Sequence, residues 1–439
     1  MWHECVRLQA RAGDEWLRAV SFPSVMFAVF LLLPLFGWGK AVIIGVPKEI
    51  VSGERRVALV PDSVSQVIKL GPEVIVEAGA GLAAGFEDSA YEAAGARIVP
   101  NAAEAFAADL VLKVQPPAAG ESGHEVDALR EDAALISFIK PLDQTDLTEK
   151  LVARGVTSFS MEMMPRITRA QSMDALSSQS TISGYRAVLL GATHLPRIFP
   201  MLVTAAGTLK PARVLVVGVG VAGLQALGTA KRLGAVTFGY DTRAVVREQV
   251  ESLGARFVEL DLDTGDSEDS GGYAKAQTEE FYQRQRQELG KHVAQADVVI
   301  TTALVPGQPA PRLIEAEAVS QMRPGSVIID LAAEKGGNCD VTEADQDVVV
   351  NGVTVIGHTN LPSEVPAHAS QMYGKNLVTF LEHLLEEGEL VLDFADEITA
   401  GTLISHQGQL VSERLGGTLP EMPAAAEEDS DKENDGGES

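Results

Sequence analysis

The chain has 439 residues, enough for two or three domains of roughly 150 residues each. Hydrophobic residues make up 46% and charged residues 22%, an ordinary globular composition that excludes a disordered or fibrous protein. With 35 Lys plus Arg against 61 Asp plus Glu the formal net charge is −26, a field that repels phosphate backbones and anionic lipid and so argues against a nucleic-acid partner.

Residues 1–40 place charged positions (Glu4, Arg7, Arg11, Asp14, Glu15, Arg18) ahead of an apolar block that starts at Val25, an order that imitates a signal peptide. Asp14 and Glu15 spoil the basic start, and Gly37 to Lys40 offers a poor cleavage site, so the segment is read as an unstructured or mis-started extension. The longest apolar run, Val25 to Trp38, is interrupted by Pro34 and falls short of the roughly 18 residues a membrane helix needs, so direct membrane insertion is not expected. Two cysteines, Cys5 and Cys339, cannot build a disulfide framework, and neither has metal-ligand spacing; a reducing compartment and no metal site are expected.

From residue 41 onward short β-branched runs alternate with helical stretches, the pattern of parallel sheets linked by crossover helices. Strands are expected at 42–46, 74–77, 109–114 and 135–139, with a helix at 61–70. A second unit opens near Thr181 with a long apolar helix and continues through strands at 214–217, 236–240, 298–301, 327–330 and 353–356. These are near-continuous hydrophobic runs, as in strands buried on both faces. A closing helix is expected over 376–387. The predicted fold is α/β, with two Rossmann-like doubly wound parallel-sheet domains and a cleft between them. The first domain takes 41–176 plus 367–415, the dinucleotide-binding domain 177–366, and 416–439 is an acidic disordered tail; from Glu421 it carries eight acids against Lys432.

The most informative motif is Gly218-Val219-Gly220-Val221-Ala222-Gly223, which follows an expected strand and opens an expected helix. Gly218 permits the tight turn, Gly220 lets backbone approach a pyrophosphate, and Gly223 lets the helix pack close to the strand, while free helix N–H groups meet the phosphates. The next strand ends at Asp241, 18 residues beyond Gly223, where a carboxylate accepts from ribose hydroxyls and repels a 2′-phosphate; this favours NAD over NADP. Thr242 and Arg243 follow directly. Arg243 is the competing signal, since a guanidinium attracts phosphate, but Asp241 holds the strand end. A second polar stretch, from Met164 through Arg166, Arg169, Gln171, Asp174, Ser177 and Ser178 to Gln179, lies between the two units, where a ligand cleft is expected. Arg166 and Asp174 suit an amide such as the nicotinamide carboxamide. The acidic segment 261–273 is too long for an ordinary α/β connection and reads as a lid or an insertion.

These motifs, together with Gly45-Val46-Pro47-Lys48-Glu49, Arg55-Arg56-Val57-Ala58, Gly184-Tyr185-Arg186, Gly271 to Lys275, Thr301 to Gly307, and Ser326 to Ala332 with Gly336 to Cys339, closely resemble the NAD-binding portion of proton-translocating nicotinamide nucleotide transhydrogenases. The resemblance covers residues 42 to about 412 and is strongest to the separately encoded soluble portion of the alpha subunit in three-subunit bacterial enzymes. It implies that this chain binds NAD(H) and passes hydride directly to NADP(H) held by a partner beta subunit. The reaction would be coupled to proton passage through a second, membrane-spanning alpha polypeptide. By the same resemblance Arg166, Asp174 and Ser177 hold the nicotinamide and its ribose, and Gln171 reaches toward the NADP side. Gly218, Val219, Gly220 and Val221 line the pyrophosphate, Asp241 takes the adenosine ribose, Leu304 packs near the nucleotide, and Gly272 and Tyr273 sit on a closing lid. A homodimer, peripheral on the cytoplasmic face of the inner membrane through its partners, is also implied.

Hydride transfer between two nicotinamides needs alignment and exclusion of water, with no general acid or base. His292, His358 and His368 are accordingly expected to serve packing, with His358 the one to test near the cleft. Alanine dehydrogenase is the rival reading, since it shares the two-domain layout. The positions that would carry its chemistry align here with Gln115 and Lys140, with Lys113 two residues away, and none supplies a histidine base. A non-catalytic NADH-binding regulator is a third reading.

Overall fold

The computed structural model describes residues 42–121, 123–260, 278–305 and 307–420. The first lobe contains strands β1 (Ile43–Val46), β2 (Glu73–Glu77), β3 (Arg97–Val99), β4 (Leu110–Leu112), β5 (Ala134–Ser137) and β6 (Thr157–Ser160). Helix α1 (Pro61–Val67) begins on a proline, whose fixed φ and missing N–H suit a first turn, and runs on as a 3-10 turn to Leu70.

Helix α2 (Ala175–His194) leads to the second lobe. There a hairpin, β7 (Leu202–Thr204) and β8 (Gly207–Leu209), precedes β9 (Arg213–Val217), helix α3 (Val221–Arg232), β10 (Val236–Tyr240), β11 (Arg256–Phe257), β12 (Val298–Thr301), β13 (Val327–Asp330), β14 (Asp347–Val350) and β15 (Val353–Ile356). Helix α4 (Pro366–Leu384) and strands β16 (Leu403–His406) and β17 (Gln409–Leu410) follow.

The first sheet has eight strands in the order β17-β16-β6-β5-β4-β1-β2-β3 and the second has seven in the order β11-β10-β9-β12-β13-β15-β14. Both are doubly wound, and both are parallel except at one edge, where β16 and β17, or β14, run antiparallel. In each the chain order reverses beside the first strand, between β1 and β4 and between β9 and β12. Apolar layers cover both faces of each sheet, so the central strands are buried throughout. This is the predicted α/β class.

The strands β16 and β17 join the first sheet although they follow the second in sequence. Gly416 to Pro420, read with the acidic tail, are folded: Leu419 packs against the first core and the Gly417 N–H donates to the Ser412 carbonyl at 2.9 Å. The long helix starts at Ala175, six residues before Thr181, and the closing helix starts at Pro366 and ends at Leu384. The segments 1–40 and 421–439 lie outside the described residues. Among those described, no helix is long and apolar enough to cross a membrane.

Candidate functional site

The reversal point of the second sheet carries the glycine motif. Gly218 sits at φ 90°, where an L side chain is strained, and its N–H donates to the Tyr240 carbonyl at 2.8 Å. A Cβ on Gly223 would stand 2.1 Å from the Gly218 carbonyl oxygen, so the helix-to-turn approach admits only glycine. A Cβ on Gly220 would meet nothing within 4 Å; here glycine leaves open space, as backbone approach by a ligand requires. Across the crevice Thr302 Oγ1 donates to the Gly218 carbonyl at 2.9 Å. Val221 and Leu304 leave 41% and 40% of their surface exposed, apolar side chains at the mouth of an otherwise closed sheet end.

Asp241 lies at the end of β10, 8% exposed. Its Oδ2 accepts the Val219 N–H at 2.7 Å, which ties the carboxylate to the phosphate-type turn. Its Oδ1 accepts the Arg243 N–H at 2.9 Å, and Arg243 Nε and Nη2 reach Oδ1 and Oδ2 at 2.9 Å each. Thr242 between them is half-buried. The turn, open glycine, strand-end carboxylate and apolar lip together fit a dinucleotide.

The second polar stretch folds as a 3-10 segment, Thr168–Met173, leading into α2. Ala170 and Met173 anchor it in the first core, Asn376 of α4 donates to the Ser172 carbonyl at 2.7 Å, and Arg169 pairs with Asp396 at 2.6 Å. Asp174 caps α2, accepting the Ser177 N–H at 2.9 Å and the Ser177 hydroxyl. Arg166 is half-buried and Gln171 exposed. The helix that Asp174 and Ser177 begin packs on α3, with Gly184 so close to Ala222 that a Cβ would lie 2.1 Å from its carbonyl oxygen. Thus one helix links the two motifs. Gly272 and Tyr273 lie outside the described residues.

The first-lobe residues behave differently. Lys113 is wholly buried, its ammonium 3.0 Å from Glu49 and 3.1 Å from Glu125. Burial pushes the Glu49 carboxyl up, while the two carboxylates raise Lys113 against its own desolvation. Gln115 donates to Glu54 at 2.8 Å, and Lys140 pairs with Glu334 of the second lobe. Each position of the alanine chemistry is therefore occupied by an internal contact. His358 lies 3.1 Å from Glu364 and 3.2 Å from Asp347, His368 is exposed on α4, and burial and Arg213 hold His292 below the usual imidazole value. Cys339 is buried, and burial pushes its thiol up to about 11. Among the described residues no His, Cys, Asp and Glu cluster could hold a metal.

Sequence reading assigned no role to a buried cluster joining the lobes. Arg56 donates to Gln179 at 2.8 Å and to Asn360 at 3.1 Å, and Asn360 donates to Glu54 at 3.0 Å. Despite burial, Arg56 and its neighbours hold the Glu54 carboxyl well below the usual carboxylate range. Ser363 accepts the Arg55 N–H at 2.6 Å and donates to the Gly53 carbonyl at 2.8 Å.

Two doubly wound lobes with a glycine turn and a strand-end carboxylate define an NAD(H)-binding oxidoreductase. Comparison with known proteins narrows this. Residues 45–183 match the model described as alanine dehydrogenase/PNT, N-terminal domain, and residues 187–413 its C-terminal domain. The chain is 50% identical over 379 residues to the separately encoded first portion of NAD(P) transhydrogenase subunit alpha of Rhodospirillum rubrum, covering 85% of this chain and 99% of that one. It is 32% identical to alanine dehydrogenase of Bacillus subtilis, covering 74% and 80%. Among solved structures, a transhydrogenase from Sinorhizobium meliloti matches with TM-score 0.75 and 44% identity over 84% of this chain and 100% of that one. An L-alanine dehydrogenase matches with TM-score 0.70 and 30% identity over 85% and 98%. The chain belongs to the alanine dehydrogenase/PNT family, as a transhydrogenase subunit that binds NAD(H).

Proposed function

We propose that this subunit holds NADH between its lobes and gives hydride directly to NADP+ bound on a partner beta subunit, coupled to proton translocation through a second, membrane-spanning alpha polypeptide. The observation that carries the reading is the contrast in accessibility. Lys113 is sealed between Glu49 and Glu125, whereas Gln171 is exposed on an anchored loop with Arg166 half-exposed just before it. A small-substrate oxidoreductase needs the first group available; a subunit that offers its ring to another polypeptide needs the second.

Bound NAD(H) supplies the hydride. The chain's own residues then have three tasks. The Gly218–Val221 turn and the N-terminus of α3 receive the pyrophosphate, and Asp241, with Thr242 and Arg243 beside it, receives the adenosine ribose. Arg166, Asp174 and Ser177 orient the nicotinamide end, with Leu304 excluding water and Gln171 directed to the NADP side. Gly272 and Tyr273 belong to a closing lid. Since no proton moves at the reacting carbon, alignment and desolvation carry the rate.

The domain division follows the two sheets, 41–176 with 367–415 against 177–366. The β7–β8 hairpin supports a homodimer, because Met201, Leu202, Val203 and Leu209 are 62%, 44%, 68% and 54% exposed on it. Through its partners the subunit sits on the cytoplasmic face of the inner membrane. Mixing the purified chain with an NADP-binding partner and following reduction of an NAD analogue by NADPH tests the function. Turnover only in the mixture is expected; none in the mixture, or alanine oxidation by the chain alone, overturns it.

A further inference from the structure

An ionised carboxylate offers about four lone-pair positions. In Asp241 all four are taken. Two donors are backbone, the N–H groups of Val219 and Arg243 at 2.7 and 2.9 Å, and these are fixed by the turn and the strand end. The other two are Arg243 Nε and Nη2, both at 2.9 Å. The pair is well shielded, with the Arg243 and Asp241 side chains 14% and 5% exposed. The guanidinium thus presents two parallel donors to the carboxylate, as a ribose presents two neighbouring hydroxyls.

We propose that Arg243 is a placeholder for the adenosine ribose: it competes with NADH for Asp241, and the cofactor binds only as the guanidinium swings off. The proposal rests on the reading of Asp241 as the ribose acceptor. The exchange conserves hydrogen bonds, two guanidinium donors leaving as two hydroxyl donors arrive, while the backbone donors stay. It therefore keeps a shielded carboxylate satisfied in both states, at the cost of apparent affinity, because only the fraction of molecules with Asp241 open is competent to bind.

The test uses the full chain and its Arg243→Lys and Arg243→Gln variants. NADH binding is followed by fluorescence titration and stopped-flow association, with reduced nicotinamide mononucleotide, which lacks the adenosine half, as the control probe. Lysine keeps the positive charge near the phosphates but cannot fork across both oxygens. Arg243→Lys is expected to bind NADH about fivefold tighter and faster, as for a placeholder that leaves Asp241 open about one-fifth of the time. Arg243→Gln is expected to move in the same direction, and mononucleotide binding to stay unchanged in both. Weaker NADH binding in both variants would make Arg243 a direct cofactor contact, and unchanged binding would mean the ion pair does not compete; either overturns the proposal. Failure of the underlying reading looks different, as wild-type chain that takes up no NADH or an Asp241→Ala variant that binds as wild type.

Discussion

The two lobes wind their sheets the same way, yet their reversal points differ. Beside β1 and β4 the crevice is filled with protein charge: Glu49 takes the Val114 N–H at 2.6 Å and, with Glu125, clamps Lys113. Beside β9 and β12 it is left open, floored by Gly220 and lipped by Val221 and Leu304. Topology makes a crevice in both places; the residues decide whether it becomes internal structure or a ligand site.

Removing the charge that fills the first crevice should have the largest effect. Lys113→Met leaves two acids buried together and should lower unfolding free energy by about 3–5 kcal/mol in urea titration. A loss under about 1 kcal/mol would mean the triad is not a structural filling. At the second crevice Asp241→Ala should weaken NADH binding by about 1.5–3 kcal/mol in fluorescence titration, the range for hydrogen bonds to a charged group. Unchanged affinity would place the adenosine elsewhere.

The two glycines of the open crevice sharpen the contrast. Gly220→Ala puts its methyl group into open space, so thermal stability should hold while NADH affinity falls. Gly223→Ala drives a Cβ against the Gly218 carbonyl and should cost about 1–3 kcal/mol of stability. Reversed outcomes would break the assignment of one glycine to the ligand and the other to packing. The smallest effect is expected from Gln171→Asn, which should slow hydride transfer by a few-fold with NADH affinity kept; equal loss of both would refute a role facing the partner.

The strands at 236–240, 298–301, 327–330 and 353–356 were legible in full because burial on both faces leaves an unbroken apolar run. Thr157–Ser160 and Leu403–His406 were missed because they are rich in Ser and Thr. They pair deep in the first sheet, with Ser158 Oγ and Ser405 Oγ 2.6 Å apart, so their polarity is satisfied across the strands. Both long helices began earlier than their apolar periodicity, one at the Asp174 cap and the other at Pro366, start signals that were present but not used.

For the candidate site, Gly218, Gly220, Gly223 and Asp241 were readable because their chemistry depends on local spacing. The Arg56 cluster was not, since its partners Gln179 and Asn360 lie 123 and 304 residues away. The saturation of Asp241 by Arg243 was not readable either: sequence places the guanidinium nearby, and only side-chain geometry shows which atoms it covers.

Direct transfer is the centre of the account, and isotope labelling reads it most plainly. NADH carrying deuterium at the transferred C4 position would be bound to this chain, mixed with a partner subunit holding NADP+ in ordinary water, and the product NADPH analysed by mass spectrometry. Full recovery of deuterium in NADPH is the expected result. Deuterium lost to solvent, or no label reaching NADPH, would contradict it.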